Sequence, residues 1–72
     1  MKKVYAIQWM EGEERGFYNG RGFYTYSNGL DLSKKTTIYD TEEDAMPDLT
    51  RLLDVYTGWP LSLTPLYIST KN

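Results

Sequence analysis

Val4 to Trp9 is a run of strand formers. Val4, Ala6 and Gln8 fall on one side of a pleated strand, Tyr5, Ile7 and Trp9 on the other. Both sides are largely apolar, which predicts a central strand. Glu11-Gly12-Glu13-Glu14 closes it as a polar turn. Asn19-Gly20 then sits between Arg15-Gly16-Phe17-Tyr18 and Arg21-Gly22-Phe23-Tyr24, and Asn-Gly between strand formers signals a two-residue hairpin loop. That loop would pair Tyr18 with Arg21, Phe17 with Gly22, Gly16 with Phe23 and Arg15 with Tyr24, setting each glycine opposite a ring.

A second Asn-Gly, Asn28-Gly29, bounds the strand Phe23-Tyr24-Thr25-Tyr26 at its far end. Thr36-Thr37-Ile38-Tyr39 is a further short strand or an extended lead into a helix. Thr41-Glu42-Glu43-Asp44 resembles a capping box, and Ala45, Leu49, Leu52, Leu53 and Tyr56 recur at helical spacing before Gly58 supplies a stop. The spacing predicts one helix over about 42–57, with a start distorted by Pro47. The last run, 61–68, is a strand that Pro65 places at an edge, bulges or breaks. The apolar phase moves from Leu61 and Leu63 to Leu66 and Ile68, which suits a bulge.

These elements make one α+β domain over 1–72: a small antiparallel sheet of three to five strands, with one helix on one face and a C-terminal strand. The expected core is Val4, Ala6, Ile7, Leu30, Leu32, Ile38, Leu49, Leu52, Leu53, Leu63 and Ile68. One helix covers one sheet face. The other is expected to show tyrosines, or to meet a partner or a second copy, as a homodimer would.

Composition narrows the chemistry. The 72 residues hold no Cys and no His, which removes thiolate zinc sites and the Ser-His-Asp and Cys-His devices. A net charge of -2 gives no global basic field for nucleic acid. The charge is uneven: Asp40, Glu42, Glu43, Asp44, Asp48 and Asp54 gather around the helix against Arg51 alone. No apolar run approaches the roughly 20 residues that span a bilayer. The basic-then-apolar start alternates and is too short for a leader, so it reads as a strand. A cytoplasmic home is expected, with no membrane contact.

Glu42, Glu43, Asp44 and Asp48 could lie close on the helix, but acids at a helix start are expected from its dipole alone. Asp40 to Asp44 lacks the ligand spacing of a calcium loop. Neither a catalytic residue nor a metal or cofactor is therefore expected, and the chain reads as a non-enzymatic binder. The candidate contact residues are Tyr18, Tyr24, Tyr26 and Tyr39 with Glu42, Glu43, Asp44 and Asp48, because tyrosine offers a large rigid area with a polar tip. The alternative is a nucleic-acid sheet using Arg15, Arg21 and Phe23, since Arg21-Gly22-Phe23-Tyr24-Thr25-Tyr26 faintly matches the basic-glycine-aromatic strands that stack bases.

Two resemblances add to this. The opening strand, the aromatic-glycine hairpin, Asp31-Leu32-Ser33-Lys34-Lys35-Thr36-Thr37-Ile38-Tyr39 and the acidic helix together resemble small bacteriophage proteins. Many of these inhibit host defence proteins, anti-CRISPR proteins among them. The resemblance implies a stoichiometric binder of a host protein in an infected bacterium. More narrowly, Tyr24, Tyr26, Gly29, Leu30, Leu32, Ser33, Ile38 and Tyr39 are similar to the dimeric uracil-DNA glycosylase inhibitors of Bacillus phages. That likeness implies DNA mimicry by a short element after the Gly-Leu-x-Leu-Ser turn. Lys35 and Thr36 stand where those inhibitors carry a phenylalanine and an adjacent glutamate.

Overall fold

A computed structural model describes residues 1–26 and 36–68, the side chains of Thr25 and Tyr26 excepted. Its elements are β1 (Lys2–Glu11), β2 (Glu14–Tyr18), β3 (Phe23–Tyr26), α1 (Glu42–Val55) and β4 (Leu61–Ile68). The sheet order is β3-β2-β1-β4, with every neighbouring pair antiparallel. β1 is central, as its two apolar sides predict.

Register divides the side chains between the faces. Trp9 pairs with Gly16 and Leu61, Ile7 with Leu63, and Tyr18 with Phe23, so these share one face. Ile7, Tyr18 and Leu52 form the buried centre on that side, and α1 closes it. Val4, Ala6, Gln8 and Phe17 share the opposite face with Tyr24, Thr64 and Leu66. That face is not bare: Val4, Ala6, Gln8 and Phe17 are all buried. Gln8 lies there without a lost hydrogen bond, because the Thr64 hydroxyl donates to its Oε1 at 2.7 Å.

The hairpin between β2 and β3 differs from the expected one. Tyr18 pairs with Phe23, Phe17 with Tyr24, Gly16 with Thr25 and Arg15 with Tyr26, so the loop spans Asn19 to Gly22 and the register moves by two residues. The cause is the Asn19 side chain. Its Oδ1 accepts from the Arg21 and Gly22 amides, both at 3.0 Å, while its own amide donates to the Gly22 carbonyl at 2.9 Å. Asn19 thus closes a wider loop through its side chain instead of serving as a central turn residue. Glycine still meets a ring, but across another pair: Gly16 lies opposite Trp9, whose ring would be 3.5 Å from an added Cβ. The tighter turn is the polar one between β1 and β2, where Gly12 takes φ 63°.

Beyond the end of β2, the same side of β1 passes to the segment before the helix. Tyr5 and Tyr39 exchange both backbone hydrogen bonds at 2.8 Å, and the Thr37 amide donates to the Tyr18 carbonyl at 2.9 Å. The run 36–39 is therefore an extended lead with a single bridge, not a full strand.

This bridge also explains Pro65. Tyr5 turns its amide and carbonyl towards Tyr39, so it makes no ladder bond with its β4 partner, Pro65. The proline nitrogen then points away from the sheet, where a missing N–H breaks no bond. β4 runs through Pro65 in unbroken register at the edge, and the expected bulge is absent.

Helix α1 is one piece with Pro47 inside it. Thr41 caps it in an extended conformation, its hydroxyl accepting from the Asp44 amide at 3.1 Å. Pro47 leaves the Glu43 carbonyl without its intrahelical donor. Glu43 is exposed, so water can take that place. The helix ends at Val55, two residues before the expected limit, and Gly58 follows at φ 84°.

The core also departs from expectation at particular residues. Ile38 and Leu53 are exposed, while Phe17, Tyr18 and Ala45 are buried. Leu30, Leu32 and the turn Asn28-Gly29 lie outside the described residues. Among the described residues, no helix is long and apolar enough to cross a membrane.

Gly16 provides the sharpest check on this register. A Cβ there would run into the Tyr24 carbonyl. Gly16→Ala is expected to lose about 2–3 kcal/mol through overpacking against backbone, read from urea denaturation. Gly22, which has open space around it, is expected to tolerate the same change far better.

Candidate functional site

Two groups of side chains stand out on the helix side. The first is polar and ties α1 to the sheet. The Tyr39 hydroxyl donates to Asp48 Oδ2 at 2.7 Å. Arg51 donates from Nη2 to Asp48 Oδ1 at 3.4 Å and to the Tyr18 hydroxyl at 3.2 Å. Tyr18 in turn donates to the Gly20 carbonyl at 3.2 Å. Helical spacing puts Asp48 and Arg51 on one flank of α1, and the extended lead and β2 bring the two phenols to meet them.

This network alters the ionisation of its members. Tyr39 is raised well above the usual phenol range, first by burial and then by the hydrogen bond and charge of Asp48. Arg51 is raised by its bonds to Tyr18 and Asp48. Both shifts favour the protonated forms that the network uses, a neutral phenol donor and a guanidinium.

The second group is aromatic and sits at the C-terminal end of α1. Trp59 lies 4.5 Å from Tyr56, 5.9 Å from Phe23 and 6.0 Å from Trp9 between ring centroids. Phe23 also meets Tyr56 edge-on at 5.7 Å and Tyr18 at 5.7 Å. The absent side chain at Gly16 leaves room for the Trp9 ring. Trp59 is braced on three sides yet remains 42% exposed, and Val55 nearby in sequence is exposed as well. The patterns of β-strand and helix did not single out Trp59; a tryptophan directly after a helix stop was the available signal.

The predicted contact residues separate. Tyr18 is buried, and Tyr18 and Tyr39 are both committed to the network with Asp48. Tyr24 lies on the other face, its hydroxyl against that of Thr36, which is buried. Tyr26 is placed on β3 opposite Arg15. Glu42, Glu43 and Asp44 are exposed in the first turn of α1. Asp40 beside them pairs with Lys2 at 2.7 Å.

For nucleic acid, Arg15 and Phe23 fall on opposite faces of the sheet. Arg15 lies against the Met10 sulfur at 3.6 Å, Phe23 lies inside the aromatic group, and Arg21 is exposed in the loop between β2 and β3. Among the described residues, no group of three or more acidic side chains is placed to hold a metal ion. Set beside known protein families, curated proteins and solved structures, the chain matches none.

The raised phenol fixes a pH dependence. Its folded value exceeds the ordinary one of about 10, so the stability it carries is complete below pH 10 and is lost as pH rises beyond it. Thermal melts are expected to be flat from neutral pH to about 10 and to fall above it. Tyr39→Phe is expected to cost about 1–2 kcal/mol at neutral pH and to flatten the alkaline fall.

Proposed function

We propose that this protein is a non-enzymatic binder of phage type that inhibits a host defence or DNA-processing protein by direct contact. The exposed Trp59 carries the reading. A tryptophan held by Trp9, Phe23 and Tyr56 has already lost its rotamer freedom, so docking it costs little further entropy. Braced aromatic residues that remain partly exposed are the usual anchors of protein interfaces. The acidic first turn of α1 supports the same reading from the other end of the helix. Glu42, Glu43 and Asp44 form a negative patch on a rigid frame. Such a patch favours a basic partner surface, the kind that DNA-processing proteins carry, and speeds encounter.

Mimicry of DNA towards uracil-DNA glycosylase is the narrower form of this proposal. It draws on the acidic patch. Thr36, however, which stands at the glutamate position of those inhibitors, is buried against Tyr24.

The test is capture from bacterial lysate on immobilised protein, quantified by mass spectrometry. One host protein in stoichiometric amount is expected. Trp59→Ala should reduce its capture by at least 10-fold. The exposed pair Glu42→Lys and Glu43→Lys should slow association and lessen its salt dependence. A lysate that yields no reproducible partner, or capture indifferent to both changes, overturns the proposal. Uracil excision at full rate in excess protein removes the narrower form alone.

A further inference from the structure

We infer that the outer edge of β4 is a docking site for a second copy of this chain. The pairing forms a two-fold dimer with one continuous sheet. The inference does not rest on the functional reading above.

The edge itself is the first ground. Among the described residues β4 pairs only with β1, and the backbone groups of Leu63, Pro65 and Tyr67 and the Leu61 carbonyl turn outwards, while the Leu61 amide is taken by the Trp59 carbonyl at 2.9 Å. Protein edges of this length are ordinarily blunted with charge. Here no residue from Leu61 to Ile68 is charged, and Pro65 is the sole interruption. Set against itself with Thr64 on the axis, the strand is self-complementary. Leu61 faces Tyr67 and Leu63 faces Pro65 on the helix side; Thr64 faces Thr64 on the other. The Tyr67 amide donates to the Leu61 carbonyl of the copy, while the Leu61 amide stays with the Trp59 carbonyl of its own chain at 2.9 Å. The Leu63 amide donates to the Pro65 carbonyl, so each half lacks two bonds, the one proline cannot give and the one Leu61 gives to Trp59.

The helix supplies the second ground. Asp48 and Arg51 face Tyr39 and Tyr18, on the β2 side of β1. Helical spacing puts Met46 and Leu53 on the opposite flank, towards β4, where they remain 47% and 44% exposed. Tyr67, on the same sheet face, is 61% exposed. A two-fold axis normal to the sheet brings this flank against its own copy. α1 lies over both β1 and β4, so with strands about 4.8 Å apart the two helix axes come to roughly 10 Å, the distance at which helices pack.

The levels also agree. Leu52 clusters with Ile7, which pairs with Leu63; Asp48 is bonded to Tyr39, which bridges Tyr5, the partner of Pro65. Thr64 therefore lies level with the helix between Asp48 and Leu52. That puts Met46 of one copy opposite Leu53 of the other, with the acidic first turns at opposite ends. The exposed parts of Met46, Leu53 and Tyr67 and the strand edge offer on the order of 600 Å² per copy. Doubled, that reaches about the 1,200 Å² at which specific interfaces begin.

Sedimentation at about 200 µM, well above the micromolar Kd an interface of this size commonly gives, reads the mass directly. Twice 8.4 kDa is expected. The chain has no cysteine, so Thr64→Cys introduces a unique thiol. Facing its copy across a pair with Cα atoms about 4.5 Å apart, it should form an interchain disulfide under mild oxidation. Ser62→Cys, off the axis, should not. Met46→Lys and Leu53→Glu should each give monomers with unchanged circular dichroism, and the double variant should restore the dimer. A monomeric wild type, cross-linking at Ser62→Cys in preference to Thr64→Cys, or a dimer that survives Leu53→Glu overturns the inference.

Discussion

β1 is the element through which all the others are joined. Its ten residues are hydrogen-bonded along both sides, to β4 over nearly the whole length and to β2 and then Tyr39 on the other side. A strand bonded on both sides over much of its length lies inside the sheet, where both of its faces can be apolar. Val4 and Ala6 are buried on one face and Ile7 on the other because of this. The division of its second side between β2 and Tyr39 sets the remaining geometry. It turns Tyr5 away from β4, leaves Pro65 harmless, and delivers Tyr39 to the helix.

The helix is held by unlike means at its two ends. Leucine burial and the aromatic group around Trp59 hold the C-terminal half. The middle is fixed by directional bonds from Tyr39 and Tyr18 to Asp48 and Arg51. Such bonds add modestly to stability but define rotation about the helix axis, which apolar contact alone leaves loose. The outward faces of α1, acidic at its start and apolar along the β4 flank, owe their direction to that clamp.

Much of this fold was legible in the chain. Period-two alternation marked β1, the bounded aromatic run marked β3, and Thr41 with Gly58 bracketed the helix. Register was not legible, because Asn19-Gly20 supports more than one loop and the choice falls to an asparagine side chain bonding two amides downstream. Ile38 and Leu53 looked like core by residue type. Burial depends on which flank of the helix and which side of the lead meet the sheet, and polar bonds elsewhere decide that. Among the candidate contact residues, surplus tyrosine was visible, but the bonds by which Tyr18 and Tyr39 brace the helix were not, and Trp59 was visible only as an exit from the helix.

The chain has two tryptophans, and the fold places both in one aromatic group. Intrinsic fluorescence of this protein therefore reports a single location, where β1, β3 and the end of α1 meet. It is silent about the acidic turn and the Tyr39 clamp. Far-ultraviolet circular dichroism, by contrast, follows the helix as a whole. In a chain this small the two signals should change together on unfolding, and a helix that outlasts the emission shift would mark the aromatic end as the first to loosen.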